Sequence, residues 1–354
     1  MSRFFSEKFA SLTPYTPGEQ PKERTFIKLN TNESPFPPSP RAIEAAKDAA
    51  ARLQLYPDPE CTRLTEKLAA FCGVKAENVL LANGSDEILD FAFTAFCDES
   101  HPVAFADVTY GFYPVVASLH GIAYEKIPLK ADFSVGVDDY IGIGKTVVIA
   151  NPNAPTGIAL SRSEIEKIVR SNPDNVVIVD EAYVDFGAES CVPLIHQYDN
   201  LLIVQTFSKS RSMAGARLGF AIGAKPLIDD LHALKYSINP YNVNAMTLAA
   251  GLATLEDREY TAKNCRTIEE NREYAAAELK DLGFEVLPSK ANFLFARHRT
   301  VGGGEIYTKL REEGILVRHF AKERISDFNR ITIGTREQTN ALIRALKKIV
   351  TKGE

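Results

Sequence analysis

Long apolar runs are missing from these 354 residues, and none is long enough to span a bilayer. The opening stretch, MSRFFSEKFASL, has no apolar signal core. Both absences point to a chain that works in the cytoplasm. Long basic runs are missing too, and the net charge is -5, so a nucleic-acid partner is not expected. The five thiols, Cys61, Cys72, Cys97, Cys191 and Cys265, are odd in number, scattered and without a CxxC pair. That pattern suits reduced thiols rather than disulfides or a zinc site. The six histidines show no HExxH or similar spacing, so no metal is expected. No internal repeat or low-complexity segment is evident. The GGG at 302–304 lacks the spacing and context of a phosphate loop and reads as a flexible turn.

What is present is enough for two hydrophobic cores. The chain is longer than one core usually serves, and 45% of it is apolar. Residues 1–40 are rich in proline and polar groups, so they read as an extended arm, packed down by Phe26, Ile27 and Leu29. Helical patterns follow at 41–54 and 62–71. In VLLANGSDEILDF a strand meets a helix. Gly84 permits the turn, and Ser85 and Asp86 begin a helix whose free amides form an anion site. From there β-branched runs alternate with helices: PVAFADVTYG, TVVIANPNAPTG, NVVIVDEAY, LLIVQTFSK and ARLGFAIG. Such runs predict an α/β fold with a mostly parallel sheet covered on both faces. Ligands of such sheets lie beyond the carboxyl ends of the strands. Tyr110, Asn153, Asp180, Tyr183 and Lys209 all fall at such ends. After Pro240 long helices and then shorter strands predict a smaller α+β domain. The expected division is a large domain at 31–240, with the arm 1–30 joining 241–354.

The stretch TFSKSRSMAGARLG, from Thr206 to Gly219, is the densest in chemistry. Lysines after strands are usually solvated surface charges. Lys209, however, sits in a tight turn between the hydroxyls of Thr206 and Ser208, with Arg217 close behind. Its amine can form a Schiff base once its charge is suppressed. The hydroxyls and the guanidinium make a phosphate seat. A lysine for an aldehyde beside a seat for a phosphate describes pyridoxal 5'-phosphate. That cofactor needs a carboxylate at its ring nitrogen, for which Asp180 is the candidate. Tyr183, three residues on, suits the ring's 3'-oxygen.

PNAPTG, VDEAY and TFSKSRSMAGARLG, in that order, resemble the fold type I aminotransferases of the aspartate aminotransferase superfamily. LTPY, KLNTNESPFPPSP, RLQLYPD, GILVRHF and NRITIGTRE narrow the resemblance to the histidinol-phosphate aminotransferase family, over almost the whole chain. The resemblance implies a large domain with a mostly parallel seven-stranded sheet between helices. It implies that Lys209 carries the cofactor and moves a proton, that Asp180 pairs with the ring nitrogen, that Tyr183 contacts the 3'-oxygen and that Tyr110 stacks on the ring. The backbone at Ser85 and Asp86, with Thr206, Ser208 and Arg217, would hold the cofactor phosphate. Tyr56 would reach it from the second subunit of a homodimer. Arg318 and Arg330, with Tyr15 and Asn32, fall on the substrate side, where histidinol phosphate and 2-oxoglutarate would bind. The sequence departs from the family in one place. Ala154 stands where an asparagine usually bonds the 3'-oxygen, and Asn153 comes one residue earlier. Either Asn153 takes that role or Tyr183 holds the oxygen alone. Threonine-phosphate decarboxylase, aromatic amino-acid transamination and cofactor binding without catalysis are the competing readings.

Overall fold

The computed structural model describes residues 2–10 and 12–351. In the first half of the chain come β1 (Ile27–Lys28), α1 (Pro40–Ala50), α2 (Thr62–Cys72), β2 (Val79–Ala82), α3 (Ser85–Phe96) and β3 (Val103–Ala106). Then follow α4 (Tyr113–His120), β4 (Tyr124–Ile127), β5 (Thr146–Ala150), α5 (Arg162–Ser171), β6 (Val177–Asp180), β7 (Leu201–Thr206) and β8 (Gly219–Gly223). The remainder holds α6 (Lys225–Ile238), α7 (Ala245–Glu256), α8 (Arg258–Asp281), β9 (Phe284–Val286), β10 (Phe293–His298) and α9 (Gly303–Glu312). It ends with β11 (Ile315–Leu316), β12 (Arg318–His319), β13 (Asn329–Thr332) and α10 (Arg336–Thr351).

The large sheet has seven strands in the order β2-β8-β7-β6-β5-β3-β4. Only β8 runs against its neighbours; the other pairs are parallel. β5, β6, β7 and β8 are buried along their whole length. This is why their sequences are continuously apolar rather than alternating. The edge strand β4 is mostly exposed, and its sequence YEKI carries no such signal. Some of the helices start where the sequence supplies a side-chain cap. Ser39 accepts from Ala42 N–H at the head of α1, and Ser161 forms a capping box with Glu164 at α5.

The smaller sheet is antiparallel, in the order β12-β13-β10-β9. The arm joins this side of the molecule, since β1 pairs in parallel with β11. In the helix α7, Ala250, Ala253 and Leu255 share a core with Leu64 and Leu68 of α2. The GGG at 302–304 is not a flexible turn. Gly302 caps α9, and Gly303 begins it so close to the chain at Asp327 that a Cβ would lie 2.6 Å from backbone atoms. At Gly303 a side chain would not fit, and close packing accounts for the glycine.

Candidate active site

The strand order leaves a crevice at one place. β3 leads outward to the edge strand β4, and the chain then returns to lay β5 on the other side of β3. Loops after β3 and β5 diverge there, beyond the carboxyl ends of the strands. A cavity of about 1020 Å3 opens at this point, roofed by the arm and by the small sheet.

Asp180 is the last residue of β6 and is buried. Tyr113 Oη donates to its Oδ2 at 2.8 Å, and the N–H of Ala182 donates to Oδ1 at 3.2 Å. Burial pushes its carboxyl up to about 6, against the pull of these two hydrogen bonds. Both donors are neutral, so a cation at the free lone pairs would complete the site. Tyr113 starts α4 and is fully buried. Nothing in the sequence marked it beyond its place three residues after Tyr110.

Lys209 follows β7, and its Nζ donates to the carbonyl of Thr31 at 3.4 Å. It lies 5.8 Å from the centre of the Tyr183 ring. Arg211 holds this turn in place. Its buried guanidinium donates to Asp185 Oδ2 at 2.9 Å and to the carbonyl of Thr206 at 3.4 Å. Arg211 lies two residues from Lys209, and nothing local in the sequence marks its role.

Beside Lys209 is a cradle of small groups. Thr206 Oγ1 donates to Ser208 Oγ at 2.9 Å. Gly219, opposite Thr206 in the sheet, lies against the start of α3, where a Cβ would come within 2.4 Å of Ser85 N. A Cβ on Gly84 would come within 2.6 Å of an Arg217 nitrogen. Arg217 itself sits in the left-handed region at φ 55° and pairs with Asp86 at 3.1 Å. Backbone strain at a non-glycine residue of this kind is usual where function holds it. Hydroxyls, a helix start and a guanidinium converge here with no side chain filling the space between, which fits a phosphate. Tyr110 lies above, its hydroxyl donating to Asp86 Oδ1 at 3.0 Å.

The far wall belongs to the small sheet and the arm. Arg330, on β13, donates to the carbonyl of Asn30 at 2.9 Å, but its buried Nε has no partner. The rings of Phe293 and Phe320 flank its guanidinium. Burial pulls its pKa down, so an anion there would be held strongly. Arg318 reaches the arm carbonyls of Thr16 and Pro17 at 3.2 and 3.3 Å. Tyr15 packs edge-on to Tyr110, and burial raises its phenol's pKa. Asn32 lines the cavity with both ends of its amide engaged. Its Nδ2 donates to Tyr183 Oη at 2.9 Å, and its Oδ1 accepts from Thr332 at 3.0 Å.

Residues 24–346 match the family model for aminotransferase class I and II. Over 350 residues the chain is 51% identical to histidinol-phosphate aminotransferase 1 of Bradyrhizobium diazoefficiens, covering 99% of this chain and 100% of that one. The chain belongs to the histidinol-phosphate aminotransferase family. A second relative, the histidinol-phosphate aminotransferase of Acinetobacter baumannii, is 48% identical over 98% of this chain and 97% of its own. The fold is that of histidinol-phosphate aminotransferase from Sinorhizobium meliloti, solved in complex with pyridoxal-5'-phosphate. The two superpose with a TM-score of 0.90, at 22% identity over 100% of this chain and 99% of that one.

In this aminotransferase the cavity gathers all but two of the site residues expected from the sequence. Asn153 does not face it. Its Nδ2 donates to the carbonyl of Val108 at 2.9 Å and to Thr156 at 3.1 Å, and its Oδ1 accepts from Thr109 at 2.7 Å. The amide is spent holding the loops after β3 and β5 together, and Ala154 lines the cavity instead. Of the two residues considered for the ring oxygen, Tyr183 lines the cavity and Asn153 does not. Tyr56 is also outside the cavity of its own chain. It is 81% exposed and stacks on Tyr241, with ring centres 4.5 Å apart. Among the described residues there is no helix long and apolar enough to cross a membrane and no metal-binding group of His, Cys, Asp and Glu. All five cysteines are unpaired.

Proposed function

We propose that this enzyme is a pyridoxal 5'-phosphate-dependent histidinol-phosphate aminotransferase of the cytoplasm. It moves an amino group reversibly between L-histidinol phosphate and 2-oxoglutarate in histidine biosynthesis. The reading rests on one arrangement: Lys209 and Asp180 on the large sheet face Arg330 on the small one across a single cavity.

The cofactor, when bound, supplies an electron sink for the bonds at the substrate's amino-bearing carbon. Lys209 is its covalent anchor. Its Nζ would take the proton from that carbon as general base and return it as general acid. Asp180 keeps the ring nitrogen protonated, and a buried carboxylate with only neutral donors is well suited to do so. Tyr183 would donate a hydrogen bond to the ring oxygen, and Tyr110 would lie against the ring. The amides of Ser85 and Asp86, the hydroxyls of Thr206 and Ser208, and Arg217 hold the cofactor phosphate. Tyr56 of the partner subunit completes this seat in a homodimer. Its exposed ring lies beside exposed Leu55 and Tyr241, which a second copy would cover.

Histidinol phosphate has no carboxylate, so its phosphate ester is the anion for Arg330 and Arg318, with Tyr15 adding a hydroxyl. In the return half-reaction the same guanidiniums must accept a carboxylate of 2-oxoglutarate. Hydrogen bonds to a charged group are each worth about 1.5–3 kcal/mol, so two of them contribute roughly 3–6 kcal/mol. Histidinol phosphate should therefore exceed histidinol by about a hundredfold to ten-thousandfold in kcat/KM. Arg330→Ala should narrow that gap. A gap unchanged by the substitution removes Arg330 as the anchor, and release of carbon dioxide from threonine phosphate overturns the activity.

A further inference from the structure

β13 grips the arm with two side chains at a spacing of two residues. Arg330 donates to the carbonyl of Asn30, and Thr332 holds Asn32, which is buried at φ 56°. Residues two apart on a strand lie on one face, so the anion anchor and Thr332 present themselves to the same stretch of arm. The hydrogen bonds at Thr332 have a determined direction. The N–H of Asn32 donates to Thr332 Oγ1 at 2.9 Å, which leaves the hydroxyl proton for Asn32 Oδ1 at 3.0 Å. With Oδ1 so engaged, Nδ2 is the end of the amide that faces Tyr183, and it donates to Oη at 2.9 Å. A phenol has one proton to give. With its oxygen already accepting from Asn32, Tyr183 has that proton free for the cavity.

We propose that Thr332 is a positioning residue that selects the orientation of the Asn32 amide and thereby aims the phenol proton of Tyr183 into the cavity. The inference rests on the reading of Tyr183 as the partner of the cofactor's ring oxygen. The two ends of an amide are nearly the same size, so without the hydroxyl at position 332 the amide is free to turn over. Its oxygen would then face Tyr183 and draw the phenol proton away from the ligand. Neither Asn153, which is engaged elsewhere, nor Ala154 supplies a second donor. The relay is therefore the route by which this wall of the cavity controls the ring oxygen. The other titratable or charged groups near Tyr183 are Lys209, Arg330, Tyr15, Tyr110 and Tyr113, and none of them changes in the variants below.

The test is a pH titration of the visible absorbance of the cofactor-loaded enzyme. A donor at the ring oxygen stabilises its anion and so opposes protonation of the adjacent nitrogen; losing the donor raises the midpoint. Tyr183→Phe should raise it by about one unit, and Thr332→Val by about half a unit or more. Thr332→Ser keeps the hydroxyl and should restore the wild-type midpoint. In the Tyr183→Phe background Thr332→Val should add nothing. If Thr332→Val does not fold, Thr332→Ala removes the same hydroxyl, leaves the amide free to turn over and should raise the midpoint as far. The proposal is overturned if Tyr183→Phe shifts the midpoint while Thr332→Val, or Thr332→Ala in its place, leaves it unchanged. It is equally overturned if Thr332→Ser shifts it as far as valine does. If Tyr183→Phe shifts nothing, the assignment of Tyr183 to the ring oxygen is what fails, and the relay falls with it.

Discussion

Replacing Asp180 by asparagine should stabilise the cofactor-free protein while removing its activity. Burial raises the Asp180 carboxyl from 3.8 to about 6 in the folded state. The folded chain therefore holds this proton more tightly than the unfolded chain does. The stability this confers is fully present below the unfolded value and is lost as pH rises through the folded one. At pH 7.5 the loss is complete. A shift of about two units corresponds to about 3 kcal/mol. Asparagine cannot ionise, so the variant escapes that loss. Its oxygen can still accept from the N–H of Ala182, and its NH2 can donate to Tyr113 in place of the present bond. The rearranged bond takes back about 1–2 kcal/mol, which leaves a net gain of about 1–2 kcal/mol. The neighbouring Glu181 is also pushed up, to about 7, but it is the same in both proteins and cancels. Urea denaturation of the two cofactor-free proteins at pH 7.5 and pH 5 measures the difference. The charge cost should fall by about half at the lower pH, because most of the folded wild-type carboxyl is then protonated, so the net gain should shrink to near zero. With cofactor present the order should reverse, since only the carboxylate has a cation to pair with. Turnover should drop by several orders of magnitude. A variant equally destabilised at both pH values would show that the buried charge is not what Asp180 costs the empty protein. Near-native turnover would show that the ring nitrogen does not depend on it.

Three further outcomes are expected. Lys209→Ala should still bind the cofactor but lose almost all turnover, and borohydride reduction of the wild type followed by peptide mapping should place the label on Lys209; a label on another lysine refutes the assignment. Gly219→Ala drives a methyl group into the start of α3 at Ser85 N, an overpacking of about 1–3 kcal/mol at the phosphate seat. Cofactor affinity measured by fluorescence titration should therefore fall by about tenfold or more, and an unchanged affinity would mean that phosphate binds elsewhere. Light scattering should give a dimer, and Tyr56→Ala should weaken cofactor binding without altering the fold of the single chain, where the ring is exposed; a fully active monomer contradicts the shared site.

Much of this protein is written locally. The buried strands announce themselves as apolar runs, because each is covered on both faces and its residues need no alternation. The residues that end those runs, Asp180, Lys209 and Tyr110, then fall at the carboxyl edge of the sheet by topology alone. Arg217 and Arg330 are legible for the same reason, each attached to a strand whose pattern is clear. What tertiary structure decided is where side chains without a local instruction point. Asn153 sits at a strand end like the others, yet Val108, Thr109 and Thr156 bind its amide and turn it from the cavity. Tyr113 meets Asp180 from 67 residues away, and Thr332 meets Asn32 from 300. The helix α7 has the composition of any apolar helix, and only the surfaces of α1 and α2 determine which core it enters. A strand or a helix is set by the periodicity of its own residues. The orientation of an amide or a phenol is set by the donors and acceptors that distant segments bring to it, and those exist only once the chain has folded.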